Sequence, residues 1–313
     1  MSEVVFNFIN VGKGNCTVIN FPSQRLTVVD IDDSRSISLL QKVLMASEGK
    51  AGLTNPIDYI VTNFPSRDIF RFMLTHPDMD HKSGIKELFR RKKVWNFWDT
   101  DNDKYITPDS WKDSPYDKED WDFYQRIRKS TENPRILRLY RNSRGNYWTD
   151  DGIEILSPTS GLVKEANESE KHDHLSYVLR VHYGGKKVLL GGDATKEVWN
   201  DIITYYVKGH LKSDVLFAPN HGSLNHISKE ILDEINPNLT VVSVAEGVDY
   251  ARELYSRYGI VLSTKHYGNI WVKISNIGEI YFTTQFQDYS GQWHSLLEKQ
   301  IMKLILDRMA GRR

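Results

Sequence analysis

The residue order predicts an α/β chain folded as a layered sandwich, with helices covering paired sheets. Three observations carry that expectation. Short strand-like and helix-like segments alternate in both halves, several strands read as antiparallel hairpins, and no fixed-period repeat or low-complexity tract interrupts them. A helical bundle or an all-β barrel would show only one of the two periodicities.

The elements follow in order. VVFNFINV and CTVINF alternate as strands around the turn-forming GKGN, and RLTVVDI follows a proline-containing turn. SRSISLLQKVLMAS, apolar at Ile37, Leu40, Val43 and Leu44, predicts a helix with Ser34 or Ser36 as its cap. PIDYIVTNF and IFRFMLT are short apolar runs, the second ending in THPDMDH. From residue 92 to 150 the composition shifts to Trp, Tyr, Asp and Lys, which reads as an insertion holding one helix, KEDWDFYQRIRKS. GIEILSPT restores regular order, and LSYVLRVHYGGKKVLLGGDA predicts a hairpin turning at Gly184 and Gly185. The helix TKEVWNDIITYYVKG, the strand SDVLFAPNHGS, the helix SKEILDEI and the strand LTVVSVA come next. After ARELYSRYG stand the short strands IVLST, IWVKIS and EIYFTTQ, then the helical SLLEKQIMKLILDRM and a basic end, AGRR, expected to fray.

Composition excludes some functions. Lys plus Arg number 41 and Asp plus Glu 41, so no global positive field advertises a nucleic-acid partner, although a local basic groove remains compatible. One cysteine, Cys16, excludes an intrachain disulfide framework and any multi-cysteine zinc knuckle; a small apolar core role is expected of it. MSEVVFNFIN lacks the basic and apolar regions of a signal peptide, and no run reaches the length of a membrane span. The expectation is a soluble, cytoplasmic protein without a membrane partner.

Chemistry concentrates at strand exits. His76, Asp78, Asp80 and His81 lie between an apolar strand and the helix GIKELFRR. Converging imidazoles and carboxylates suit zinc, manganese or iron. In an extended turn, residues 76, 78 and 80 share one side while 81 reaches back from the helix entrance. The bland alternative is a helix start that favours acids for its dipole. Asp193 in LLGGDAT, His221 in FAPNHGS, and His172 with His174 in KHDHLS each follow or flank a strand. Singly they would serve as an N-cap, a turn residue and a solvated loop; together at strand exits they favour metal.

This ordered set resembles the metallo-β-lactamase fold hydrolases, whose signature is a His-x-His-x-Asp-His loop, a further ligand histidine, a bridging aspartate and a final histidine. NVGKGNCTVI, the HPDMDH loop, GD after a hairpin, NHGS and VLSTKHYGNIWVKI resemble most closely the branch of the competence protein ComEC, over most of residues 4 to 283. The resemblance implies an αββα hydrolase domain over 1–290, an aromatic-rich insertion at about 93–150, and a C-terminal helix and tail over 291–313. It implies two divalent ions, Zn²⁺ or Mn²⁺. His76, Asp78 and either His172 or His174 would hold one, Asp80, His81 and His221 the other, with Asp193 bridging. Asp30, ending VVDID, would orient a ligand or the attacking water. Asp78 stands where histidine is familiar and would shift preference toward harder ions such as Mn²⁺. Asn220 likewise stands where a histidine often precedes the last ligand.

The expected activity is phosphodiester hydrolysis, most plausibly of DNA or RNA, with Asp80, Asp193 and Asp30 in the catalytic machinery. Lys13, Asn220 and Ser223 are candidate substrate contacts; Lys13 reads more readily as an exposed turn lysine, Ser223 also serves as an ordinary turn residue, and VGKGN is not a Walker A loop. Trp95, Trp98, Trp111, Trp121 and Tyr124 with Arg126, Arg128 and Lys129 would either stack on bases or form the core of an accessory subdomain. Hydrolysis of a small phosphodiester or other ester is the competing enzymatic reading. A non-catalytic module binding a protein through residues 93–150 or the C-terminal helix is the third.

Overall fold

A computed structural model describes residues 2–33, 52–244 and 248–309. The helix expected from Ser34 and the terminal AGRR lie outside the described residues. In chain order the strands are β1 (Glu3–Phe8), β2 (Thr17–Asn20), β3 (Leu26–Val29), β4 (Ile31–Asp32), β5 (Ile69–Met73), β6 (Lys82–Ser83), β7 (Val94–Trp98) and β8 (Arg135–Leu137). They continue with β9 (Ile153–Ser157), β10 (Val178–Tyr183), β11 (Lys186–Leu190), β12 (Val215–Phe217), β13 (Leu239–Val242), β14 (Ile260–Ser263), β15 (Ile270–Ser275), β16 (Ile280–Thr284) and β17 (His294–Ser295).

Two mixed sheets stack face to face. One runs β17-β16-β15-β1-β2-β3-β5-β7-β8, the other β14-β13-β12-β11-β10-β9. The period-2 alternation of β1 sends Phe6 and Phe8 inward, where they join Val272 and Ile274 of β15 against Leu179, Val188, Val215 and Val241 of the opposing sheet. The strands β11 to β14 pair in parallel and are apolar almost throughout, because helices cover their other face. Helices Lys196–Tyr205 and Lys229–Ile235 form that cover, with Trp199, Ile202, Ile231 and Leu232 buried. On the first sheet the cover is Pro56–Asn63, capped by Asn55, together with Ile85–Arg91 and Lys118–Ile127. The order of layers is helix, sheet, sheet, helix.

The stretch from 93 to 150 needs correction. It opens with β7, which lies in the main sheet parallel to β5, and β8 extends the same sheet. Trp98, Trp121 and Tyr124 are buried, and the Arg128 guanidinium lies 2.9 Å from Asp99 Oδ2. These side chains are unavailable to bases: the apolar sheet face would be uncovered without them. Trp95 is exposed, and its indole donates to Asp68 Oδ2 at 3.0 Å.

At the other end, the helix Leu296–Met309 leaves Leu297, Ile301, Leu304 and Leu306 exposed. No helix among the described residues is long and apolar enough to cross a membrane. Cys16 is buried in the core as a free thiol.

Candidate metal centre

The carboxyl ends of β3, β5, β11 and β12 open at one edge of the sandwich, where parallel strands leave a crevice for chemistry. Asp30 leaves β3 with φ 56°, an uncommon conformation for a residue with a Cβ. Its carboxylate accepts from the Thr75 amide and hydroxyl, both at 2.7 Å, and lies 2.9 Å from His81 Nδ1. Asp30 holds a ring proton on Nδ1, so Nε2 is the His81 atom turned to the crevice and the one a cation would take in place of a proton.

His81 Nε2 is buried without a hydrogen-bond partner and lies 3.4 Å from Asp193 Oδ2. His76 Nε2 approaches the same oxygen at 3.8 Å. Asp193 Oδ1 and His221 Nε2 are likewise buried and unpartnered. Buried polar atoms left without partners are costly, and several converging on one space fit a cation. Ligand atoms of His76, His81 and Asp193 lie within 4.8 Å of one another, as do those of Asp80, His81 and His221, and those of His76, Asp78 and Asp173. The shared His81 and His76 link the three sets into one strip.

The third set brings in Asp173, which stands between His172 and His174 and was not among the expected ligands. All three sit in a 3₁₀ turn, His172–Leu175, whose successive side chains point about 120° apart. Of the three, Asp173 is the one that joins His76 and Asp78, with Oδ1 3.9 Å from His76 Nε2. His172 Nε2 instead lies 3.7 Å from Asp103, and His174 Nδ1 3.7 Å from Glu165. Nothing in KHDHLS distinguished the aspartate, because its direction comes from the turn.

The other expected contacts divide. Asn220 Nδ2 donates to Asp193 Oδ2 at 3.1 Å, so it steadies a carboxylate at the centre. Ser223 Oγ accepts from the Asn225 amide at 3.3 Å, as a turn residue does. Lys13 is exposed in the GKGN turn. That turn nevertheless matters: a Cβ on Gly14 would lie 2.2 Å from the Asp80 carbonyl, so only glycine allows the loop to press on the ligand segment. Lys104, absent from the expected set, places its ammonium on Asp78 Oδ1.

Charge follows geometry. Burial would raise the Asp193 carboxyl, yet the imidazoles of His81 and His76 hold it well below the usual range. Asp78 is likewise held down, burial being outweighed by His76 and Lys104. Burial, helped by the charge of His81, pushes His221 toward the neutral form, whereas the carboxylates of Asp193 and Asp30 overcome burial and raise His81. Ionised carboxylates and a neutral His221 are ready ligands; at His81 a cation has to displace a proton. For Asp30→Asn we expect metal affinity to fall about 10- to 100-fold, the usual cost of losing a carboxylate behind a ligand histidine. A chelator-competition titration gives the number, and unchanged affinity would remove Asp30 from the centre.

No family model matches the chain. ComE operon protein 3 of Bacillus subtilis (strain 168) is 22% identical over 283 residues, covering 88% of this chain and 34% of that protein. The chain therefore spans about a third of that relative's length. Among solved structures, the metallo-beta-lactamase fold protein YhfI from Bacillus subtilis has a TM-score of 0.48 at 10% identity, with 85% of this chain and 98% of that chain covered. Zn(2+)-bound PqqB from Methylobacterium extorquens has a TM-score of 0.45 at 11% identity, with 87% and 99% covered. A diphosphatase from the PhnP family has a TM-score of 0.41 at 11% identity, with 87% and 97% covered. In its ordered motifs, its helix–sheet–sheet–helix layering and its sequence match, the chain resembles the metallo-β-lactamase fold proteins, and within them the ComEC type.

Proposed function

We propose that this chain is a metal-dependent hydrolase of phosphodiesters, and that its substrate is DNA or RNA. One observation carries the reading: the strip of histidines and carboxylates is bordered by two cavities that each hold lysine or arginine side chains. On the His76 side a cavity of about 270 Å³ is lined by Lys104, Lys171, His172 and His174 together with the carboxylates of Asp78, Glu170 and Asp173. On the His221 side a second one is lined by Arg252, Lys265 and His266. A chain of no net charge that places a lysine or arginine on both flanks of such a centre suits a substrate with phosphates on either side of the reacting one.

Two divalent ions, Zn²⁺ or Mn²⁺, held by His76, Asp78 and Asp173 and by Asp80, His81 and His221 with Asp193 between, would supply an activated water and charge stabilisation at phosphorus. The remaining roles belong to the chain. Asp30 fixes the His81 ring through Nδ1, and Asn220 holds one oxygen of Asp193. Asp80 Oδ2, 3.8 Å from His221 Nε2, would accept the proton of the attacking water. Lys104 and Lys171 would hold the flanking phosphate and exclude uncharged esters.

The test is metal content measured together with cleavage of labelled single-stranded DNA and RNA by the Mn²⁺- or Zn²⁺-loaded full chain. The expected outcome is bound metal and oligonucleotide cleavage abolished by a chelator. Hydrolysis of bis-p-nitrophenyl phosphate alone would turn the assignment to a small phosphodiester. A folded protein that takes up no metal would end both enzymatic readings.

A further inference from the structure

The second flanking cavity has a composition the first lacks. It holds about 270 Å³ between the segment before helix Arg252–Ser256 and the exit of β14. Two phenol rings, Tyr250 and Tyr267, line it with the cations Arg252 and Lys265 and one carboxylate, Asp249. Tyr267 is braced from behind, its ring centroid 5.8 Å from that of Tyr289. The Lys265 ammonium lies 5.6 Å from the Tyr250 ring centroid and donates to the Val248 carbonyl at 2.6 Å. Among the described residues neither Arg252 nor Lys265 forms an ion pair with a carboxylate, and both line the cavity.

This cavity is tied to the metal centre through backbone. The Ala251 amide donates to the Gly222 carbonyl at 2.9 Å, and Tyr250 Cβ would lie 3.1 Å from a Cβ on Gly222, the residue after His221. On the other wall, the Val244 amide lies 3.2 Å from Thr264 Oγ1, while the carbonyl of the preceding Ser243 is 3.2 Å from His221 Nδ1. Both walls are thus one residue away from the frame that positions His221. A group held here is a near neighbour of whatever reacts at Asp80, His81 and His221.

We infer that this cavity is a nucleotide subsite, taking the base and phosphate next to the scissile bond. The rings offer a stacking surface of the kind that single strands use. Arg252 and Lys265 offer charge-assisted donors to a phosphate. Asp249 would repel a phosphate and therefore faces the base edge, accepting from a ring or exocyclic N–H. The inference rests on the proposed hydrolase reading for its place in the reaction, but not for its ligand chemistry. It moves base recognition from the aromatic stretch 93–150, whose large rings are largely core, to the opposite rim.

The test compares the wild type with Arg252→Gln/Lys265→Gln and with Tyr267→Leu, all as the full, metal-loaded chain. Calorimetry with AMP, adenosine and inorganic phosphate reads binding; oligonucleotide and bis-p-nitrophenyl phosphate hydrolysis read turnover. AMP is expected to bind better than adenosine or phosphate alone. Tyr267→Leu should weaken AMP about tenfold, matching the loss of one stacking contact, and the double charge variant at least as much, matching the loss of two charge contacts. Oligonucleotide kcat/KM should fall through KM, about tenfold further than bis-p-nitrophenyl phosphate kcat/KM. Equal AMP affinity in wild type and variants overturns the inference, as does a parallel loss on both substrates, which marks a structural role. AMP binding that depends on these residues, without any hydrolysis, keeps the subsite and ends the hydrolase reading. Oligonucleotide hydrolysis indifferent to both variants does the reverse.

Discussion

Asp193→Ala is expected to remove at least one bound metal ion and to abolish hydrolysis. Among the described residues its carboxylate approaches both His76 and His81 and receives the Asn220 amide. Losing a partner behind a ligand costs roughly 10- to 100-fold in metal affinity, so losing the central carboxylate itself should cost on the order of 100-fold or more. Elemental analysis of the dialysed protein, beside hydrolysis of bis-p-nitrophenyl phosphate, reads both consequences. The alanine also leaves His76 and His81 facing each other across a smaller charge, their ring centroids 4.1 Å apart. Wild-type metal content and turnover in this variant would refute the central role.

The second large effect lies far from the centre. Arg180 on β10 is almost wholly buried and stands opposite Glu154 of β9 in the antiparallel register. Its Nε and Nη2 donate to Glu154 Oε2 at 3.0 and 2.6 Å, and His182 Nε2 lies 2.9 Å from the same oxygen. Glu154→Gln keeps the shape and removes the charge, leaving a buried guanidinium without a carboxylate. Such removals cost about 3 kcal/mol or more, and Glu154's partial exposure favours the lower end. Urea unfolding at pH 7 should show that loss.

The pH dependence has a definite sign. Burial raises the Glu154 carboxyl, but the His182 hydrogen bond and the Arg180 charge overcome it and pull it down to about 2. A carboxylate depressed in the folded state stabilises fully above its usual value, about 4.3. That stabilisation is lost as pH falls toward about 2. The gap between wild type and Glu154→Gln should therefore close across that interval. A gap independent of pH would assign the effect to packing.

Much of the fold was legible because periodicity is local. The hairpin at Gly184 and Gly185 formed between β10 and β11, and the runs VLL, VLF and LTVV became buried parallel strands. The helix KEDWDFYQRIRKS also formed, capped by Asp117. The stretch around it was misread because a Trp-rich sequence looks the same whether its rings meet solvent or a sheet. The β7 strand, VWNFW, lacks clean alternation since both of its faces are partly covered.

The sequence by itself determined the inventory at the centre: histidines and carboxylates in order, each at the exit of an apolar strand, and a neutral chain with one buried cysteine. Residue type and strand periodicity are written in neighbouring letters, so they can be read in one dimension. Only the tertiary structure decided which of those groups meet. It turned Asp173 rather than His172 or His174 toward His76, placed Lys104 on Asp78 across 26 positions, and set Tyr250 beside the turn of His221. Side-chain direction within a 3₁₀ turn, and the approach of loops distant in the chain, depend on how two sheets stack. No local pattern encodes that.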